Sequence, residues 1–106
     1  MDPLENYFGA RNALTASEDQ LKARADEHGL TVIEFIILAM VGRGRDRSGI
    51  IATETGYNPT TVSHNISDLE DRDLLKRERV EGDARGFKLC LTEAGRAIVA
   101  TIPESF

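Results

Sequence analysis

Only three residues, Gly56-Tyr57-Asn58, separate two segments that each read as a helix, and so short a link leaves few ways to pack them. A turn of that length with a glycine in it is what a helix-turn-helix requires. In the second segment Asn58 can cap the helix, and Pro59 takes the first helical position, where a missing N–H costs nothing. Val62, Ile66 and Leu69 then recur at spacings of four and three, which predicts one buried stripe on a helix over 59–71. The first segment, Ser48 to Thr55, is expected to turn Ile50, Ile51 and Ala52 inward and to end at Gly56.

The flanking chain completes the pattern. Upstream, Thr31 and Glu34 form a T-x-x-E capping box, and Leu30 can staple onto Phe35. Behind the box Ile33, Phe35, Ile36, Ile37, Leu38, Met40 and Val41 are apolar nearly all round, so this helix should be central, with Gly42 ending it. The stretch "GRGRDRSG" reads as a loop with room for a short strand. From Asp2 to about Glu27 the chain is polar and helix-prone, interrupted near Gly9 and "TAS" (15–17) and closed by Gly29. Downstream, "KRERV" (Lys76–Val80) and "FKLCL" (Phe87–Leu91) read as strands of a β-hairpin whose tip is Gly82-Asp83-Ala84-Arg85-Gly86. Thr92 caps a last helix, "EAGRAIVATI", which Pro103 stops. Helix, helix, helix-turn-helix, hairpin, helix is a winged helix-turn-helix, mainly α with a small β-hairpin (α+β). Three segments follow: 1–29, helical and expected to dimerise; 30–98, the winged helix; and 99–106, the tail of the last helix.

A chain of 106 residues suits one modest core. No run approaches the ~18–20 apolar residues of a membrane span. The start "MDPLENYFGA" is not a secretory signal, and Cys90 has no second cysteine to pair with. The expected setting is therefore cytoplasmic, with no membrane partner. Alternation points Cys90 away from Leu89 and Leu91, as a strand thiol that reads as inert, with a redox-sensitive thiol as the alternative. The net charge of −5 argues against a non-specific polyanion binder, yet its distribution is uneven. Residues 1–41 hold three Lys/Arg against seven Asp/Glu, whereas 72–88 hold six basic against four acidic residues. Local placement decides what binds.

The recognition-helix candidates lie off the buried stripe: Thr60, Thr61, Ser63, His64 and Ser67. A helix fits the major groove, whose base edges present a distinct donor–acceptor pattern. Hydroxyls near a helix N-terminus suit phosphate oxygens, and the same residues also suit a solvated first turn. Arg85 at the hairpin tip suits the narrow minor groove, where negative potential attracts a guanidinium. Asp83, flanked by Gly82 and Gly86, is expected to shape the tip. Arg77, Arg79 and Lys88 read either as phosphate contacts or as ordinary strand-face charges.

Three stretches, "LTVIEFIIL", "GYNPTTVSHNISDLEDRDLLKRERV" and "EGDARGFKLCLTEAGRA", also make the sequence resemble the MarR-type transcriptional regulators over about residues 30–98. The most specific part is a wing ending in Asp-x-Arg, then an apolar strand and Leu-Thr-x-x-Gly-Arg. His64 stands where that family usually carries arginine, and Asn65 where it tends to be apolar. The resemblance implies a homodimer on palindromic double-stranded DNA. Leu4, Tyr7, Phe8 and Leu14, with Ile98, Val99 and Ile102, are the residues available to build the dimer. With about ten residues after Gly95, the C-terminal dimerisation region reads as shortened, which weighs against a small-molecule effector.

The expected function is sequence-specific DNA-binding regulation, as a repressor. The alternative is a winged-helix protein-interaction module or anti-repressor that does not read bases. Its support is the net acidity and the run Asp68, Glu70, Asp71 and Asp73 at the end of the recognition helix. An enzyme is not expected. His28 and His64 lack a nucleophile partner, and "GRGRDRSG" lacks the Gly-Lys-Ser/Thr ending of a phosphate loop. No cofactor or metal is expected.

Overall fold

The computed structural model describes residues 20–82 and 86–102. The chain divides into two compact units, Met1–Val32 and Ile33–Phe106.

In the first unit, α1 is described over residues 20–27. Its end is closed by paired reverse bonds: the Leu30 N–H donates to the Ala25 carbonyl at 2.9 Å and the Gly29 N–H to that of Asp26 at 3.0 Å. This is the Schellman closure, with a buried Leu30 and a buried Ala25 at its apolar positions.

In the second unit the order is α2 (Val32–Gly42), α3 (Ser48–Thr55), α4 (Pro59–Asp71), β1 (Leu75–Arg79), β2 (Phe87–Leu91) and α5 (Glu93–Val99). Phe35, Ile37 and Leu38 of α2, Ile51 of α3, Val62, Ile66 and Leu69 of α4, and Leu75 of β1 are fully buried and make one core. Burial of each such side chain contributes roughly 1.5–3 kcal/mol. The predicted stripe of α4 is thus buried, and α2 is buried on Phe35, Ile37, Leu38 and Val41 while Ile33, Ile36 and Met40 are half-buried.

Three expectations shift. Ile50 is 44% exposed, unlike its neighbours Ile51 and Ala52. One turn of helix cannot point three consecutive residues the same way. Gly42 ends α2 as expected, and the reversal follows at Gly44, whose φ is 93°; there the Arg45 N–H donates to the Met40 carbonyl at 2.9 Å. Gly42 also meets a packing demand, since a Cβ there would lie 2.7 Å from Val99 Cγ1 of α5. β1 runs one residue earlier than expected, with Val80 still donating its N–H to the Gly86 carbonyl at 3.0 Å beyond the last ladder pair. Finally, α5 stops at Val99, and residues 100–102 form a tighter turn in which Thr101 and Ile102 donate to carbonyls three residues back.

β1 and β2 pair antiparallel, with Leu75 opposite Leu91, Arg77 opposite Leu89 and Arg79 opposite Phe87 on one face. Lys76 and Glu78 face Cys90 and Lys88 on the other. The stretch "GRGRDRSG" holds the expected loop and no strand of its own; one backbone bond joins the loop to the sheet, from the Leu89 N–H to the Asp46 carbonyl at 2.7 Å.

Candidate nucleic-acid interface

The helix that would read DNA is built from its cap outward. Asn58 is extended, and its side-chain oxygen accepts the Thr60 N–H at 2.8 Å, with Pro59 at the helix start. Before it, α3 ends on Gly56 with φ 76°, a left-handed conformation that glycine adopts without steric cost, so the chain reverses within three residues. The core side of α4 is taken by Val62, Ile66 and Leu69, and the opposite side is left to solvent.

On that side Pro59, Thr60, Ser63, His64 and Ser67 line one shallow, open hollow. Four of the five recognition-helix candidates therefore fall together. Thr61 does not join them: it is half-buried, and its carbonyl accepts the Asn65 side-chain amide at 2.8 Å. That bond satisfies the polar Asn65 without a place in the apolar stripe. Pro59, legible in sequence only as a helix start, shares the hollow, and its place at i−4 from Ser63 is the signal that would have found it. No acidic residue occupies the first turn of α4, so the positive end of the helix dipole is not offset there.

The basic residues of the hairpin do not converge on one face. Arg79 lies on the face of Leu75 and Leu89, whereas Lys88 lies on the opposite face across from Glu78. The Arg77 guanidinium pairs with the Glu70 carboxylate of α4 and reaches Ser67 Oγ at 3.5 Å. Glu70, three residues beyond Ser67, continues the exposed stripe towards the helix end; in sequence it is only one of a run of acids. Asp83 and Arg85 lie outside the described residues, as do Leu4, Tyr7, Phe8 and Leu14. Gly82, with φ 84°, and a buried Gly86 flank the tip. Ile98, Val99 and Ile102 are half-buried, and Val99 packs on Gly42 of its own chain.

Away from this surface, Cys90 is half-buried in β2, and its thiol is pushed up from the ordinary value, first by burial, then by a hydrogen bond to Glu78 and that carboxylate's charge. Among the described residues no group of three His, Cys, Asp or Glu side chains could hold a metal ion, and no helix is long and apolar enough to cross a membrane.

A two-helix turn, a capped second helix with one exposed stripe and a hairpin behind it define a winged helix-turn-helix protein. The sequence model of the MarR family matches residues 28–86, more than half of the chain, and the chain belongs to that family. Solved structures agree on the fold. The MarR family transcription regulator SP03579 superposes with a TM-score of 0.78 at 17% identity, over 92% of this chain and 65% of that one. A MarR family regulator from Listeria monocytogenes, solved with a 26mer DNA, gives 0.75 at 20% identity, over 94% and 65%. A variant of MepR from S. aureus, bound to an oligodeoxyribonucleotide, gives 0.69 at 18% identity, over 89% and 71%. The chain thus spans just under two thirds of the length of the first two. No curated protein matches it significantly in sequence.

Proposed function

We propose that this chain is a sequence-specific regulator that binds double-stranded DNA and represses transcription by covering a promoter. Recognition helix α4 enters the major groove, and the wing, residues 81–86, enters the adjacent minor groove with Arg85. The observation that carries this reading is the exposed hollow of Thr60, Ser63, His64 and Ser67 at the capped, acid-free start of α4. His64 there can donate to a purine N7 or a phosphate. Arg79 and Lys88 supply charge to the flanking backbone. A two-fold dimer presents two such helices ~34 Å apart and selects a near-palindrome. The DNA-bound state of the Listeria and S. aureus relatives supports the same partner here.

Binding-site selection from a random duplex pool at two salt concentrations, with wild type beside His64→Ala and Arg85→Ala, tests this. A palindromic motif should emerge with wild type, fade with His64→Ala and weaken with Arg85→Ala. Folded wild type that enriches nothing would sink the proposal.

One observation favours a protein-interaction module: Ile50 and Phe87, 44% and 50% exposed, share a second shallow hollow between α3 and β2. Binding that reads no bases and barely changes with salt would favour that module, since phosphate contacts release counterions and weaken steeply as salt rises.

A further inference from the structure

Arg77 links the hairpin to the recognition helix. It rises from the face of the hairpin that also carries a buried Leu75 and a buried Leu89, so its stem runs along the core side of the sheet. From there the guanidinium turns to α4, pairs with Glu70 and comes within 3.5 Å of Ser67 Oγ. Both partners are helical residues on the stripe that begins at Thr60 and Ser63. Ser67 closes the hollow proposed to meet DNA, and Glu70 lies one turn further along the same side. Left bare, a carboxylate at that point would face the phosphates that the hollow is to meet.

We infer that Arg77 is a positioning residue for DNA recognition rather than a DNA contact: it masks the Glu70 carboxylate beside Ser67, so that the hollow can meet phosphate. The inference rests on the DNA-binding reading above. Because guanidinium nitrogens only donate, the Ser67 oxygen is the acceptor of that contact, and the hydroxyl proton stays available to donate outward.

A direct contact and a masking role predict different thermodynamic cycles. If Arg77 touched phosphate independently of Glu70, the effects of Arg77→Gln and Glu70→Gln on DNA affinity would add. If it acts through Glu70, they do not add. The experiment measures affinity of the full chain for the selected duplex with wild type, Arg77→Gln, Glu70→Gln and the double variant, across a salt series, with thermal melts to show folding.

The expected result is a loss of roughly tenfold in Arg77→Gln, the size of one uncompensated charge near a phosphate row. Glu70→Gln should bind within about twofold of wild type, and the double variant should recover most of the loss. Additive effects, together with a salt slope that falls by ~0.9 in Arg77→Gln as for one lost phosphate contact, would overturn the inference. Should Arg77→Gln not fold, Arg77→Met keeps the stem packed and completes the same cycle. If wild type binds no duplex at all, the DNA-binding reading fails and takes this inference with it. Binding with additive effects removes the inference alone.

Discussion

Gly95 and Leu74 meet more closely than any side chain would allow: a Cβ on residue 95 would sit 2.1 Å from the Leu74 carbonyl oxygen. Gly95 is buried where the first turn of α5 meets the bend between α4 and β1. In an open helix, replacing glycine by alanine gains about 1 kcal/mol. Here the obstacle is backbone, which cannot swing aside as a side chain would. Gly95→Ala is therefore expected to destabilise by about 3 kcal/mol, as strong overpacking does, and urea denaturation reads it directly. A stabilised variant would show that the two segments do not approach in this way.

Thr92 holds the other end of the same contact. Its hydroxyl donates to the Asp73 carbonyl at 2.7 Å and accepts the Gly95 N–H at 3.1 Å, while its own N–H donates to the Leu74 carbonyl at 3.2 Å. One side chain thus caps α5 and satisfies the bend at Asp73, a non-glycine residue with φ 59°. Thr92→Val keeps the shape and removes both hydroxyl bonds, at a cost of about 2 kcal/mol. Thr92→Ser keeps both and should stay within about 0.5 kcal/mol of wild type. Equal midpoints for Val and Ser in the same denaturation series would show that the hydroxyl carries nothing.

These two residues explain why so much of the fold was legible. Helix starts announce themselves locally, because a cap and the N–H it satisfies lie within three residues: Asn58 with Thr60, and Thr92 with Gly95, are both where the sequence put them. The α4 stripe was legible for a similar reason, its period being fixed by the helix itself. What eluded the sequence depends on partners far along the chain. Gly42 ends α2 as read, but its contact with Val99 was not legible; Ile50 looked like core and is exposed; Arg77 read as a phosphate contact or a strand-face charge and is drawn to Glu70. Periodicity says which side of an element a residue occupies, not which neighbour waits there. The hollow on α4 gathers the helix candidates except Thr61, whose place just beside the buried stripe leaves it half-covered.

Glu34 and Arg72 give an asymmetric prediction. Expected as the returning half of a capping box, Glu34 sits in the first turn of α2, where the helix dipole favours an anion, 6% exposed and 3.6 Å from the Arg72 guanidinium beyond the end of α4. The Arg72 side chain is 41% exposed. Glu34→Gln leaves a cation that water can reach and should cost about 1 kcal/mol, whereas Arg72→Gln strips an ion partner from a nearly buried carboxylate and should cost about 3 kcal/mol. Urea denaturation of the two variants in parallel decides it. A larger loss in Glu34→Gln would mean that the pair contributes through Glu34's packing rather than its charge.

The Cys90 thiol supplies a prediction in pH. Burial first, then the hydrogen bond and charge of Glu78, hold its proton more tightly than in a free cysteine, with Lys88 and Lys76 pulling weakly the other way. Thiolate is the reactive form, so alkylation by iodoacetamide should lag a small thiol at neutral pH, and its rate should rise only at higher pH. Glu78→Gln removes the repelling carboxylate and should move that rise back towards ordinary thiol values. The sign carries over to stability. A folded state that prefers the neutral thiol is fully favoured below the ordinary thiol range, and it loses that advantage as pH climbs towards the raised value. Alkylation that matches a free thiol in the wild type, unchanged by Glu78→Gln, would show that Cys90 is exposed and that Glu78 does not govern it.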